Sequence, residues 1–449
     1  MRRLLSWFAS RPVWLVLVIV VAFLFVFFLA SVELMHYTES TAFCTLCHTM
    51  DPEKTAYEIS PHQNVDCGTC HIGPGAVPAV QAKLASVRYL WTYPLNLYER
   101  PIPSPIPSLP PVEVACEQCH WSQKPYAERF LEINRFAEDE ANTLSRTYLL
   151  LKIGGGAELE GLGEGIHWHT ENIVRYRAVD AELQEIPWAQ VEIGGVITDY
   201  IASDTTLTTA EIEALPVREM GCIDCHNRAT HVFLSPAEAI DQAMATGQLD
   251  TSLPYLKREA LRLLEPFYET QDAAAETIAS ELESFYAAQY PDIEASAVTA
   301  AAATLADLYQ QIKFPEMKTD WRAHPDNIGH KDYPGCYRCH DGQHFDEVGE
   351  SIRLDCNICH GIPQVVARGV IPPLISTTRS PIRSPLRPAT HQSTDWVIRH
   401  QDEPDPATSC SMCHGTENEG GSDDSSFCAN SACHGTTWEF AGLGPDVPE

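Results

Sequence analysis

Cysteine occurs in this chain in essentially one arrangement. Seven Cys-x-x-Cys-His motifs begin at Cys44, Cys67, Cys116, Cys222, Cys336, Cys356 and Cys410. Their second cysteines are Cys47, Cys70, Cys119, Cys225, Cys339, Cys359 and Cys413, followed by His48, His71, His120, His226, His340, His360 and His414. The two remaining cysteines make a stretched copy, Cys428-x4-Cys433-His434, so all 16 are placed. Two cysteines at this spacing form thioether bonds to the vinyl groups of a haem, and the adjoining histidine reaches the iron. Structural zinc sites pair two Cys-x-x-Cys units and need no histidine after each one. A disulfide framework leaves the histidines equally unexplained. The pattern therefore predicts eight haem c groups, with no cysteine left for a disulfide, a zinc site or a thiol nucleophile.

Eight haems stand in for much of an apolar core, so the chain is expected to wrap thinly around its cofactors. The fold class is a multihaem cytochrome c, mostly α and irregular, haem-packed, with one N-terminal transmembrane helix. Covalent haem attachment takes place outside the cytoplasmic membrane of bacteria, which sets the compartment. Val13 to Ala30 is an 18-residue run without a charge, long enough to cross most of a hydrocarbon core. Arg2, Arg3 and Arg11 precede it and the next Lys or Arg is Lys54, so the N-terminus faces the cytoplasm and the haem domains the periplasm. The rival is a cleaved signal peptide, with Leu29-Ala30-Ser31 as cleavage chemistry. A retained anchor is favoured because the apolar run is long for a signal.

The formal charge is −31, and −34 once the first 30 residues, which carry +3, are set aside. Such a surface argues against nucleic acid and fits a partner with a basic docking face. The organisation reads as an anchor over 1–33, a four-motif domain over 34–235, a helical insertion over 236–315 and a second four-motif domain over 316–449. Prolines 101, 103, 105, 107, 110 and 111 make a stiff strap within the first domain. Between roughly 144 and 202, β-rich runs punctuated by Gly154-Gly-Gly and Gly194-Gly suggest a small antiparallel insertion. Residues 236–312 hold no Cys or His and carry helical spacing at Leu256, Ala260, Leu263, Leu264 and Phe267, and at Leu305, Leu308, Tyr309 and Ile312. This is a helical hairpin or bundle, best taken as a brace. A second proline-rich segment, 372–388, carries Arg379, Arg383 and Arg387, suited either to covering haem propionates or to keeping a linker soluble.

Eight irons take up to sixteen axial ligands. Beyond the motifs there are ten histidines: His36, His62, His167, His169, His231, His324, His330, His344, His391 and His400. An enzyme that binds substrate at iron keeps one axial position open. Ten further histidines can close nearly every site, which favours low-spin haems that pass electrons. His231 and His344 follow motif histidines closely, His324 and His330 precede the fifth motif, and His391 and His400 precede the seventh. His167 and His169 can share one strand face, one as a ligand and the other at the surface.

At Phe43-Cys44-Thr-Leu-Cys47-His48-Thr-Met50 the chain resembles the NapC/NirT family of membrane-anchored tetrahaem quinol dehydrogenases. The likeness runs on through Tyr57-x2-Ser60-x-His62, Cys67 to His71 and Lys83, and resumes at Cys222-Ile-Asp-Cys225-His226-x4-His231. The resemblance implies that Met50, rather than His48, ligates the first haem; ordinary ligation by His48 is the alternative. A thioether ligand tends to raise the potential. It also implies that His71 pairs with His231 and His62 with His226, and that Lys83 joins His120 on the third haem. A lysine ligates only when deprotonated, which requires a desolvated site; the alternative is a solvated surface lysine. The chain departs from the family where an acidic residue usually follows this lysine near the quinol. That stretch reads Ala85-Ser-Val-Arg88-Tyr89-Leu90-Trp91, and His36 is the candidate substitute as proton acceptor.

The family usually ends soon after its fourth motif, whereas this chain continues with four more. It is similar to the longer NapC/NirT-type cytochromes of anaerobic, often metal-reducing bacteria. The resemblance implies an inner-membrane cytochrome that takes electrons from (mena)quinol and relays them to a periplasmic cytochrome or a terminal reductase. Two other classes remain. One is a multihaem reductase or oxidase of the nitrite, tetrathionate or hydroxylamine type, which would use an open haem. The other is a generic electron conduit that does not use quinol.

Overall fold

The computed structural model describes residues 12–106, 109–120, 128–154, 165–355, 358–361, 363–367, 393–394, 396–400, 405–411, 414–423, 425–434, 438 and 440–441. The chain forms two compact units. The first comprises Met1–Glu99 and Ile106–Gln118, the second Arg100–Pro105 and Cys119–Glu449. The division falls inside the third motif.

In the first unit, helix α1 (Val13–Tyr37) has no buried residue, and its length of about 37 Å exceeds a hydrocarbon core of about 30 Å. It is the one helix among the described residues that is long and apolar enough to cross a membrane. Short helices follow: α2 (Thr41–Cys44), α3 (Asp51–Glu58), α4 (Cys67–His71) and α5 (Ala76–Ser86). Ser40 caps α2 by accepting from the Phe43 amide, and Asp66 accepts from the Thr41 amide and hydroxyl at 3.0 Å each. Gly68, inside the second motif, lies so close to Glu39 that a Cβ there would come 2.6 Å from its carbonyl oxygen. Only glycine lets the two backbones meet.

The second unit is built on two antiparallel sheets and a helical bundle. The strands are β1 (Arg129–Phe136), β2 (Leu144–Leu151), β3 (Ile173–Arg177), β4 (Trp188–Ile193), β5 (Val196–Ala202), β6 (Arg218–Glu219), β7 (His344–Phe345) and β8 (Gln364–Ala367). One sheet has the order β1-β2-β8, the other β6-β3-β4-β5-β7. Ser145 pairs with Ala367, and Ala202 with His344. The β region therefore begins before residue 144, and its outer strands come from the segment expected to form a separate C-terminal domain. Backbone pairing joins His344–Phe345 and Gln364–Ala367 to the sheets.

Between β3's neighbourhood and the fifth motif, four helices occupy the Cys- and His-free stretch: α6 (Pro236–Ala245), α7 (Leu256–Leu264), α8 (Gln271–Gln289) and α9 (Ala295–Ile312). Ser235 and Glu238 close a capping box on α6, with Pro236 in its first turn. Ile240, Leu256, Leu264, Ile278, Leu282, Leu305 and Tyr309 are fully buried in this bundle, each aliphatic side chain contributing about 1.5–3 kcal/mol by leaving water. Asn142, in the β1–β2 turn, donates to the Thr251 and Leu253 carbonyls at 3.1 and 2.8 Å and accepts from the Lys257 amide. It ties the hairpin to the bundle.

Candidate haem-binding sites

The motif cysteines lie at the ends of short helical turns or in them. Every described cysteine is free of a disulfide, and among the described residues no cluster of three or more His, Cys, Asp or Glu side chains could hold a bare metal ion. In the first unit the Cys44 and Cys67 thiols are neighbours: their hydrogen bond, with burial, raises Cys44 well above the usual thiol range. Cys356, Cys413 and His391 lie outside the described residues, as does the 372–388 segment.

Four histidine pairs come together in the second unit. His167 and His226 have ring centroids 6.4 Å apart, His169 and His340 5.8 Å, His330 and His360 6.3 Å, and His400 and His434 6.2 Å. Two imidazoles on opposite sides of one metal place their centroids about 6.3 Å apart, given metal–nitrogen bonds of about 2.0–2.1 Å. In each pair one member is a motif histidine and the other is not. The side chains present therefore fit a haem iron between them.

The second ring nitrogens agree. His169 Nδ1 contacts the Ile166 carbonyl at 2.9 Å, His340 Nδ1 that of Arg353 at 2.6 Å, His360 Nδ1 that of Gly361 at 2.7 Å and His400 Nδ1 that of Val397 at 2.6 Å. A ligating histidine commonly donates its other N–H to a carbonyl, which fixes the tautomer and leaves Nε2 for the metal. Burial holds His167, His169, His226, His330 and His360 below the ordinary imidazole value and takes His340 down to about 4. They are neutral, as metal ligation requires.

His344 departs from this arrangement. Its Nδ1 lies 2.9 Å from Asp341 Oδ1 and its Nε2 2.8 Å from the Ile186 carbonyl. Both nitrogens contact protein oxygens, which sets His344 apart from the four facing pairs. Although His344 is close to His340 in sequence, β7 turns the side chain under β5. Within the second unit the ring that faces His226 is His167. His167 and His169 do not share a strand face, one bound and one at the surface. They sit in a turn and the short helix Trp168–Glu171 that follows it, and each faces a motif histidine.

Elsewhere the placements are plainer. His36 is exposed in the last turn of α1, and His48 is exposed with its ring 5.5 Å from Tyr93. Met50 is half-buried at the end of a 3-10 turn, His48–Met50. His62 and His231 are half-buried, His71 and His120 exposed, His324 buried. Lys83 Nζ donates to the Thr38 carbonyl at 2.5 Å and lies 6.0 Å from the Phe43 ring. It sits beside residues at the start of the first motif. The His414 ring stacks on Phe427 at 4.1 Å.

The residues that hold the motifs were not visible as candidates beforehand. Arg338, within the fifth motif, donates to the carbonyls of Asp224, Leu183 and Gly335. Tyr176 donates to Asp224 Oδ1 at 2.5 Å, and Asp224 Oδ2 accepts from the Gly221 amide at 2.6 Å. The one signal that could have pointed to such support is Gly165, two residues before His167.

Residues 8–100 match the model of the NapC/NirT cytochrome c family, N-terminal region. The chain is 40% identical over 365 residues, 80% of its own length and 70% of the relative's, to the cytochrome c-type protein ImcH of Geobacter sulfurreducens. Over 37 residues, 8% of this chain and 23% of the relative, it is 43% identical to the cytochrome c nitrite reductase subunit NrfH of Nitratidesulfovibrio vulgaris. No solved structure matches. Cysteine pairs followed by histidine, facing imidazoles and an apolar N-terminal helix thus meet a relationship that covers most of the chain, and the protein belongs to the NapC/NirT cytochrome c family of membrane-anchored multihaem c-type cytochromes.

Proposed function

We propose that the protein is an octahaem cytochrome of the bacterial inner membrane that takes electrons from (mena)quinol at the membrane surface. It passes them to a periplasmic cytochrome or a terminal reductase. The haems supply one-electron carriers, and the protein positions them and tunes their potentials.

The observation that carries this reading is the tethering of the first two motifs to the end of α1. Cys44 lies seven residues after Tyr37, where that helix ends. Lys83 bonds the Thr38 carbonyl, and the Gly68 amide donates to the Glu39 carbonyl at 3.1 Å. Val77, Val80, Leu84, Leu90, Trp91 and Leu97 in the same unit are exposed. So large an apolar surface suits the headgroup region and a quinol, not water. Quinol oxidation releases two protons with its two electrons. His36, exposed at the helix end, is the proposed acceptor, and Met50 is the proposed ligand of the first haem in place of His48. The nitrite reductase subunit among the relatives supports a terminal reductase as one class of electron acceptor. The strongly acidic chain favours a partner with a basic face.

The test is optical reduction of the membrane-embedded protein by a menaquinol analogue. Reduction of the haems at rates far above those seen with the anchor-free domain is expected. If a soluble donor reduces every haem while the quinol reduces none, the quinol reading fails.

A further inference from the structure

We propose that His167-Trp168-His169 is a double distal clamp. His167 completes the haem of the fourth motif opposite His226, and His169 completes the haem of the fifth motif opposite His340. One turn of backbone thereby joins the last haem site of the first four motifs to the first site of the second four. The inference rests on reading the chain as a haem carrier but not on quinol as its donor.

The local chain is built for this. Gly165 has φ of +104°, and a Cβ there would come 2.5 Å from the Lys152 carbonyl oxygen. That approach lets the Ile166 amide bond Lys152 and the His167 amide bond Ile153, both at 2.9 Å. The Trp168 amide then closes on the Gly165 carbonyl at 3.0 Å. The backbone is thus fixed on both sides of His167. His169 is oriented by its contact with the Ile166 carbonyl, and the Trp168 ring packs edge-on against it at 5.5 Å. The two rings leave the turn toward different partners, at centroid distances of 6.4 Å from His226 and 5.8 Å from His340.

The proximal sides are locked together as well. Arg338, in the Cys336–His340 turn, donates to the Asp224 carbonyl in the Cys222–His226 turn, and Asn327 donates to the same carbonyl. The fourth and fifth sites are therefore held on both faces by short, hydrogen-bonded pieces of chain. The β region, which looks like an insertion in the sequence, is what supplies the distal face.

The experiment uses the full-length protein in detergent and reads the spin state by electron paramagnetic resonance, with haem content checked by mass. His167→Ala and His169→Ala are each expected to keep every covalently bound haem and to turn one low-spin haem high-spin. The double variant turns two, and added imidazole restores the low-spin signal. His169→Met, which offers a replacement ligand should the alanine variant fail to accumulate, is expected to stay low-spin while one midpoint potential rises. Unchanged spin state in either alanine variant overturns the proposal, as does a double variant with a single high-spin haem or a His169→Met protein with an unchanged redox titration. No arm uses quinol, so loss of the quinol reading leaves these outcomes intact.

Discussion

Arg338 donates a 2.6 Å hydrogen bond to the backbone carbonyl of Asp224, so the middle of the fifth Cys-x-x-Cys-His motif is bolted to the middle of the fourth. The same guanidinium reaches Leu183 and Gly335 at 2.9 Å each and is only 8% exposed. Its planar fork serves three carbonyls that a lysine ammonium could not meet together. Arg338→Ala is expected to cost about 1–3 kcal/mol for each acceptor left without a partner. Arg338→Lys should recover only part of the loss. Thermal unfolding of the assembled holoprotein checks this, and an unchanged transition in both variants would remove Arg338 from the junction.

Tyr176 supports the same point from the β sheet. Its hydroxyl is the donor to Asp224 Oδ1 in a buried setting, and burial, with Asp224 beside it, raises the phenol above its ordinary range. The hydroxyl stays protonated and the bond persists at any physiological pH. Tyr176→Phe leaves the carboxylate oxygen short of its donor and is expected to lower stability by about 1–3 kcal/mol. Denaturant titration of wild type and variant gives the number directly.

His344 yields a prediction with a pH sign. Burial alone would lower its pKa, but the Asp341 carboxylate and the Ile186 carbonyl outweigh it and the net shift is upward. A folded value above the unfolded one of about 6.5 means the contribution is complete below that pH. It fades as pH rises through the higher folded value. His344→Gln is expected to flatten this part of the stability profile and to leave the low-spin haem spectrum unaltered. A new high-spin signal in that variant would place His344 among the iron ligands.

The contrast between His344 and His169 shows what the sequence could and could not convey. The thioether motif is covalent and local, so its residues are legible one by one. A distal ligand is a tertiary fact: His169 meets His340 across 171 positions of chain, and no spacing rule encodes that. His344 stands four residues after His340 yet is turned away by a two-residue strand, too short to leave a period-two trace. The bundle was readable because Leu256, Ala260, Leu263 and Leu264, and separately Leu305, Leu308, Tyr309 and Ile312, fall at helical intervals in a stretch free of Cys and His. The sheets were readable only in their long strands. The pairing of β5 with β7 and of β2 with β8 joins segments far apart in the chain, which no local pattern encodes.

The helical bundle gives a prediction that separates bracing from redox chemistry. Leu282 is fully buried at its centre. Leu282→Ala leaves a cavity and is expected to cost about 2–5 kcal/mol, since neighbours such as Ile278 and Leu305 cannot collapse fully into it. The haem spectra and the redox titration are expected to stay as they were. A shifted potential in this variant would mean that the bundle does more than hold the chain.

The proposed ligation of the first haem by Met50 yields a prediction about electron entry. It is half-buried where the 3-10 turn ends, just before Asp51 and Pro52 begin α3, whereas His48 is exposed and turned toward Tyr93. The thioether of Met50 is the proposed ligand of the first haem, with the imidazole of His48 as the alternative. A methionine ligand raises the potential relative to a second imidazole, which makes the site nearest the membrane a better acceptor. Met50→His is expected to keep that haem low-spin, lower one midpoint potential and slow reduction by a menaquinol analogue, while reduction by a soluble donor proceeds at the wild-type rate. His48→Ala is expected to leave the titration unchanged. If instead His48→Ala produces a high-spin haem and Met50→His moves no potential, the imidazole is the ligand and the first site is tuned by some other means.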